Sequence, residues 1–249
     1  MDATATDLVI RSDRAGIATI TLNRPKKLNA LNSQVFLALR THLDAIQSDQ
    51  SVRCVVLTGA GKSFCAGHEI EALTSGEESL SPLFKPETID ALEGLAQPTI
   101  AKIRGYCLTG GLELALACDL LLASSTAQLG DTHGQWGLVP IWGMSVRLPE
   151  RVGVAKAKEL MFTSRRISGF EAASIGLVDR SSYDHRLDEE VEALASEIVA
   201  NSAETNRIDK ALLRARAERT RSEALLYERS LPFGRPTDAA ERLALWKRN

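Results

Sequence analysis

Apolar residues recur along this chain with two different periods. In LVIRSD and GIATITLN, around residues 8 to 23, apolar and polar positions alternate, which predicts two strands turning at Asp13 to Gly16. After Asn32, a residue suited to cap a helix start, Val35, Leu39, Leu43 and Ile46 return every three or four positions and predict an amphipathic helix. CVVLTG at 54–59 is a short apolar run expected as a buried strand. An acidic, serine-rich segment at 72–86 precedes a helix expected near 87–96, the strand TIAKIRG at 99–105, and a further strand, DLLLAS, at 119–124. From about residue 143 the pattern turns helical. Ser168 with Glu171 suits a capping box, and Gly176 a helix stop. Residues 186–222 are amphipathic and charge-rich, without strand signals. The order predicts a mixed α/β core over residues 1–190 and a helical region over 191–249, with no close internal sequence repeat.

One stretch breaks the pattern. In GYCLTGGLELALACD, residues 105–119, Glu113 sits among Leu112, Leu114, Ala115, Leu116, Ala117 and Cys118, a run apolar nearly all round and therefore expected as a buried helix. A carboxylate there is costly without a partner or a purpose. Gly110 and Gly111 precede it, so unpaired N–H groups of a helix start point outward there, at the positive end of the helix dipole. A second glycine-bearing turn, SFCAGHEI at 63–70, carries Gly67 and His68. Two amides from different loops can together hold an oxyanion.

Composition narrows the classes of partner. The chain has 249 residues, with 30 Lys plus Arg against 32 Asp plus Glu, so bulk charge favours neither nucleic acid nor an anionic membrane. Apolar runs fall short of a membrane span, and the N-terminus lacks the basic start and apolar block of a signal peptide. Cys54, Cys65, Cys107 and Cys118 form no CxxC pair, so core thiols in a reduced, cytoplasmic protein are expected, with no metal site. GAGKS at 59–63 imitates a phosphate loop, but position 56, where that motif needs glycine, is valine.

Four motifs in order resemble the enoyl-CoA hydratase and isomerase family, the crotonase superfamily: LNRPKKLNALN at 22–32, SFCAGHEI at 63–70, GYCLTGGLELALACD at 105–119 and AQLGDTHGQWGLVP at 127–140. The resemblance covers nearly the whole chain. It implies a crotonase fold, an α/β spiral of ββα units with C-terminal helices that assemble trimers or dimers of trimers. It implies an acyl-CoA thioester substrate and no separate cofactor, coenzyme A being part of the substrate. Matched residue by residue, the amides of His68 and Gly110 form the oxyanion hole, and Glu113 is the first of two catalytic glutamates. Leu28 and Ala66 fall at substrate-binding positions. Lys26 and Lys27 match the segment lining the adenine end of coenzyme A, with one of them expected near the phosphates. Lys247 is a weaker match to a residue that reaches a neighbouring subunit's ligand.

The sequence departs from the family at two places. Where the second catalytic glutamate is expected it has His133, which can transfer protons near neutral pH but lacks a carboxylate's charge and second acceptor. Where many relatives read Pro-Gly-x-Gly-Gly it has Pro140, Ile141, Trp142, Gly143 and Met144, so Ile141 and Trp142 are expected to narrow the acyl pocket. The leading expectation is addition of water to a trans-2-enoyl-CoA. Some crotonase relatives that hydrolyse C–C bonds in cyclic β-diketones also carry a histidine here, but with an acidic residue nine positions on, where this chain has Trp142. Double-bond isomerisation, thioester hydrolysis and a non-catalytic binding role complete the alternatives.

Overall fold

The computed structural model describes residues 8–69 and 80–246. Strands β1 (Val9–Arg14) and β2 (Ile17–Leu22) pair antiparallel around a turn in which Ala15 and Gly16 both have positive φ. Helix α1 (Ser33–Gln47) starts where expected: the Asn32 side chain accepts from the Val35 amide, and Val35, Leu39, Leu43 and Ile46 are all buried. After β3 (Cys54–Gly59), helix α2 (Phe84–Glu93) begins about three residues before its expected start. Pro86 fits its first turn and Gly94 ends it. Most of the acidic segment before it, and Lys247, lie outside the described residues.

The remaining strands divide between two sheets. A six-stranded sheet runs β1-β2-β3-β4-β6-β9, parallel from β2 onward, and a three-stranded one runs β5-β7-β8. Their members are β4 (Thr99–Ile103), β5 (Tyr106–Leu108), β6 (Leu120–Ser124), β7 (Gln128–Gly130), β8 (Ile167–Ser168) and β9 (Arg180–Ser182). The chain therefore alternates, β4 to β5 and then β6 to β7, giving one strand to each sheet per turn. Single bridges extend the small sheet backwards, from Cys65 to Cys107 and from Leu31 to His68. This is the expected spiral of ββα turns. Strands β5, β7, β8 and β9 went unpredicted because two or three residues carry no readable period.

Helix α3 (Gly110–Leu116) is only seven residues long and wholly buried, with β5 taking up the residues before it. Then come α4 (Met144–Thr163), with a break at Gly153, and α5 (Gly169–Ser174), whose first turn the Ser168 hydroxyl caps by accepting from Glu171 N–H. Gly176 follows α5 with positive φ. Helix α6 (Leu187–Ala200) runs through residue 190, where the core was expected to end. Its Leu187, Val191 and Ala195 pack on Ile17, Val56, Ile100 and Leu122 of the large sheet. Helices α7 (Ala203–Ala217), α8 (Arg221–Arg229) and α9 (Ala239–Trp246) complete the described chain.

The spiral turns touch through glycine. A Cβ placed on Gly111 would stand 2.4 Å from the Cys65 carbonyl oxygen and 2.9 Å from the Cys65 Cβ, so α3 can lie against the 63–68 segment only without a side chain there. Gly111→Ala is accordingly expected to lower stability by about 1–3 kcal/mol, read as a fall in the urea midpoint at unchanged slope.

Candidate active site

The site forms where the small-sheet segments of successive turns end. The turn Cys65–Ala66–Gly67–His68 lies beside β5 and the start of α3. A Cβ on Gly67, whose φ is +107°, would meet the Leu108 carbonyl at 3.0 Å and the Gly110 nitrogen at 3.6 Å. The two loops that carry the His68 and Gly110 amides are thus in direct apposition. Gly110 N–H belongs to the first turn of α3, where the helix offers no acceptor. Thr109, just before it, has φ 52° and ψ −118°, an unfavourable conformation for a β-branched residue, costing about 1–3 kcal/mol. Its N–H donates to the Gly130 carbonyl, its carbonyl accepts from Leu112 and Glu113, and its hydroxyl shares a 2.6 Å bond with that of Thr132. These contacts hold the strained turn and tie it to the loop after β7.

Glu113 is 1 % exposed. Its Oε1 accepts from the Trp142 amide at 2.9 Å and the Met144 amide at 3.1 Å, leaving Oε2 facing His133 Nε2 at 3.7 Å. Burial pushes its carboxyl above the usual range, the nearby Asp131 charge adds to this, and the Met144 amide, His133 and the Trp142 amide oppose it. The amide donors are held in turn. Arg147 donates to the Trp142 carbonyl at 2.7 Å and pairs with Asp90 and Glu93 of α2.

His133 sits in the short turn His133–Trp136 after β7. Its Nδ1 lies 2.5 Å from Oδ1 of Asp131, and its backbone N–H donates to the same oxygen at 3.1 Å. Asp131 is 2 % exposed. This residue was missed by sequence reasoning, although the spacing Asp-Thr-His was there to read. Nine positions after the histidine stands Trp142, and the carboxylate that bonds the ring comes instead from two positions before it.

Around these groups lies a cavity of about 420 Å³. Its wall includes Leu28, Ala66, His68, Gly110, Glu113 and His133. Ile141 and Trp142 also line it, in different ways. Ile141 is 68 % exposed at the rim, whereas Trp142 is 4 % exposed, its ring 5.0 Å from Phe36 and 5.2 Å from the His68 ring. The Trp142 ring lies so close over Gly110 that a Cβ there would meet it at 2.4 Å. The half-buried His68 ring accepts from the Lys85 ammonium at 3.2 Å, so it is not the solvated loop side chain that its position in a turn would suggest. Lys26 and Lys27 lie outside the cavity wall, exposed on the turn Pro25–Lys27 beside Leu28, and Lys27 is 3.4 Å from Glu69. The four cysteines are free and buried, and burial pushes Cys54, Cys65 and Cys118 up to about 12, which makes them poor nucleophiles. Among the described residues no cluster of His, Cys, Asp and Glu could hold a metal ion.

A family model described as enoyl-CoA hydratase/isomerase matches residues 12–242. The chain is similar to the probable enoyl-CoA hydratase echA8 of Mycobacterium bovis, with 39 % identity over 229 residues, 91 % of this chain and 88 % of that one. It is 35 % identical over 230 residues to the short-chain-enoyl-CoA hydratase of Clostridium acetobutylicum, with the same coverages of 91 % and 88 %. Among solved structures, the enoyl-CoA hydratase of Bacillus anthracis superposes with a TM-score of 0.90 at 32 % identity, covering 97 % of this chain and 96 % of that one. A Thermobifida fusca protein solved in complex with acetoacetyl-CoA superposes at 0.84 with 30 % identity, covering 91 % and 93 %.

The raised proton affinity of Glu113 has a consequence for stability. Above the ordinary glutamate value of about 4.3, the folded state holds a proton that the unfolded chain has lost, so stability falls as pH rises through the raised value. Glu113→Gln removes that loss. The variant is expected to gain stability relative to the parent as pH rises above the ordinary glutamate value, as urea titrations at successive pH values would show.

Proposed function

The chain belongs to the enoyl-CoA hydratase/isomerase family, and we propose that it works as a hydratase on short trans-2-enoyl-CoA thioesters through the cavity described above. The observation that carries this reading is the juxtaposition of two groups. Glu113 Oε2 and His133 Nε2 stand 3.7 Å apart, close enough that one water on their cavity side would lie within hydrogen-bond reach of both, beside the loops of His68 and Gly110.

In this reading the thioester oxygen takes the His68 and Gly110 amides. As water adds to Cβ, the π electrons move onto that oxygen, and fixed main-chain dipoles stabilise the enolate more than the ground-state carbonyl. Glu113 and His133 hold the water between them, one of the two takes its proton, and a proton reaches Cα to complete the addition. Loss of one oxyanion donor costs about 3 kcal/mol in comparable sites. The buried Trp142 ring supports a short acyl group by filling space beside Gly110. The acetoacetyl-CoA held by the Thermobifida fusca relative supports an acyl-CoA ligand.

Assembly into trimers or hexamers through the region 191–249 belongs to the same proposal. Leu213, Leu226 and Leu243 stand exposed on α7, α8 and α9, apolar surface that a neighbouring copy would cover. A cytoplasmic setting is supported by the free, buried thiols. No helix among the described residues is long and apolar enough to cross a membrane.

Crotonyl-CoA is expected to lose its conjugated-thioester absorbance on incubation with the protein, faster than long-chain enoyl-CoAs do, and Glu113→Ala is expected to abolish the change. An inert protein across enoyl-CoAs of every length, with cleavage of a cyclic β-diketone instead, would transfer the site to the hydrolytic reading. The exposed lysine pair is expected to act on coenzyme A phosphates. Lys26→Ala with Lys27→Ala should weaken coenzyme A binding several-fold at low salt and flatten its salt dependence, as titration calorimetry at two ionic strengths would show.

A further inference from the structure

We propose that Asp131 and His133 form one acid–base unit that replaces the second catalytic carboxylate, with Asp131 the positioning residue and His133 Nε2 the atom that takes and returns the proton of water. The inference rests on the hydratase reading and assigns a role within it.

An imidazole alone is a poor copy of a carboxylate. It has one acceptor when neutral and none when protonated, and which nitrogen accepts depends on what the other one does. Asp131 decides this. An ionised carboxylate only accepts, so at 2.5 Å from Oδ1 the Nδ1 atom carries the hydrogen, which in the neutral ring leaves the lone pair on Nε2. Nε2 is the nitrogen that faces Glu113 Oε2 across 3.7 Å. Asp131 is itself immobilised, because the same Oδ1 receives the His133 backbone N–H and the residue is almost fully buried. The pair therefore presents to the cavity what a carboxylate would: an acceptor, backed by one negative charge. His68, Tyr106 and Arg166 also line the cavity, but Asp131 is the residue that bonds Nδ1.

The reaction balances with these groups alone. Water donates one hydrogen to Glu113 Oε2 and the other to His133 Nε2. Its oxygen forms the bond to Cβ while the proton moves to Nε2 and the π pair moves to the thioester oxygen. The enolate then collapses, Cα takes the proton from Nε2, and imidazole is restored. Between the two transfers His133 is a cation, with Asp131 behind it and Glu113 in front.

The test combines a spectrum and kinetics. In protein labelled with ¹⁵N-histidine, at mildly alkaline pH, His133 should show a protonated Nδ1 and an unprotonated Nε2, its signals assigned by their loss in His133→Gln. An Nε2 found protonated in the resting protein, in either charge state, overturns the proposal without any Asp131 variant. Asp131→Ala, lacking the acceptor, should move the hydrogen toward Nε2 and lower kcat about 10²- to 10⁴-fold with KM held within about threefold. Asp131→Asn keeps an acceptor oxygen without the charge, so it should retain the tautomer and still lose kcat. Variants that fold and keep both kcat and the parent spectrum would show that Asp131 merely caps the turn, and would overturn the proposal. A parent protein that hydrates no enoyl-CoA refutes the hydratase reading instead, while the spectrum still decides the state of the imidazole.

Discussion

A carboxylate with almost no access to water has to be held by something, and in this protein it is held by main chain. Glu113 is carried inward by a short helix whose every residue is buried, and its Oε1 is satisfied by two amides two positions apart, those of Trp142 and Met144. That contact orients the other oxygen toward His133. It also joins the early spiral turns to the start of α4, and through Arg147 to Asp90 and Glu93 of α2. If the carboxylate were free to swing, its separation from the imidazole would not be defined.

The spiral explains why the site forms at this place. Each turn gives a strand to the large sheet and a shorter one to the small sheet, so short-sheet segments far apart in sequence end side by side. Residue 67 on one turn meets residue 110 on the next, and residue 109 meets residue 132 on the one after. Close approach requires glycine at Gly67 and Gly111, and it leaves Thr109 in a conformation its branched side chain disfavours. The bonds from Thr109 to Gly130 and Thr132 keep that strain in place and fix the direction in which the helix start points.

Much of this was legible beforehand, for identifiable reasons. The first hairpin, α1 with its Asn32 cap and the strand at 54–59 follow local period and capping chemistry, which act over a few residues and leave their mark in sequence. Glu113 stood out because a charge inside an apolar run is costly enough to need an explanation. The small sheet did not stand out, since strands of two or three residues owe their existence to neighbours in the adjoining turns. Asp131 was overlooked for a related reason. A carboxylate two positions before a histidine is common in loops, and only the folded turn brings its oxygen onto Nδ1. Trp142 was legible as bulk in the pocket but not as the supplier of an amide to Glu113, a role its side chain does not advertise.

That last role separates two kinds of inheritance. The grip on the carboxylate comes from peptide N–H groups at positions 142 and 144, which every residue except proline possesses. Side chains on the same loop can be exchanged without loosening that grip, reshaping what the cavity admits while the carboxylate stays anchored. The bulk of Ile141 and Trp142 therefore bears on what the cavity admits without bearing on how the carboxylate is held, and the loop is the natural place to retune what the enzyme accepts.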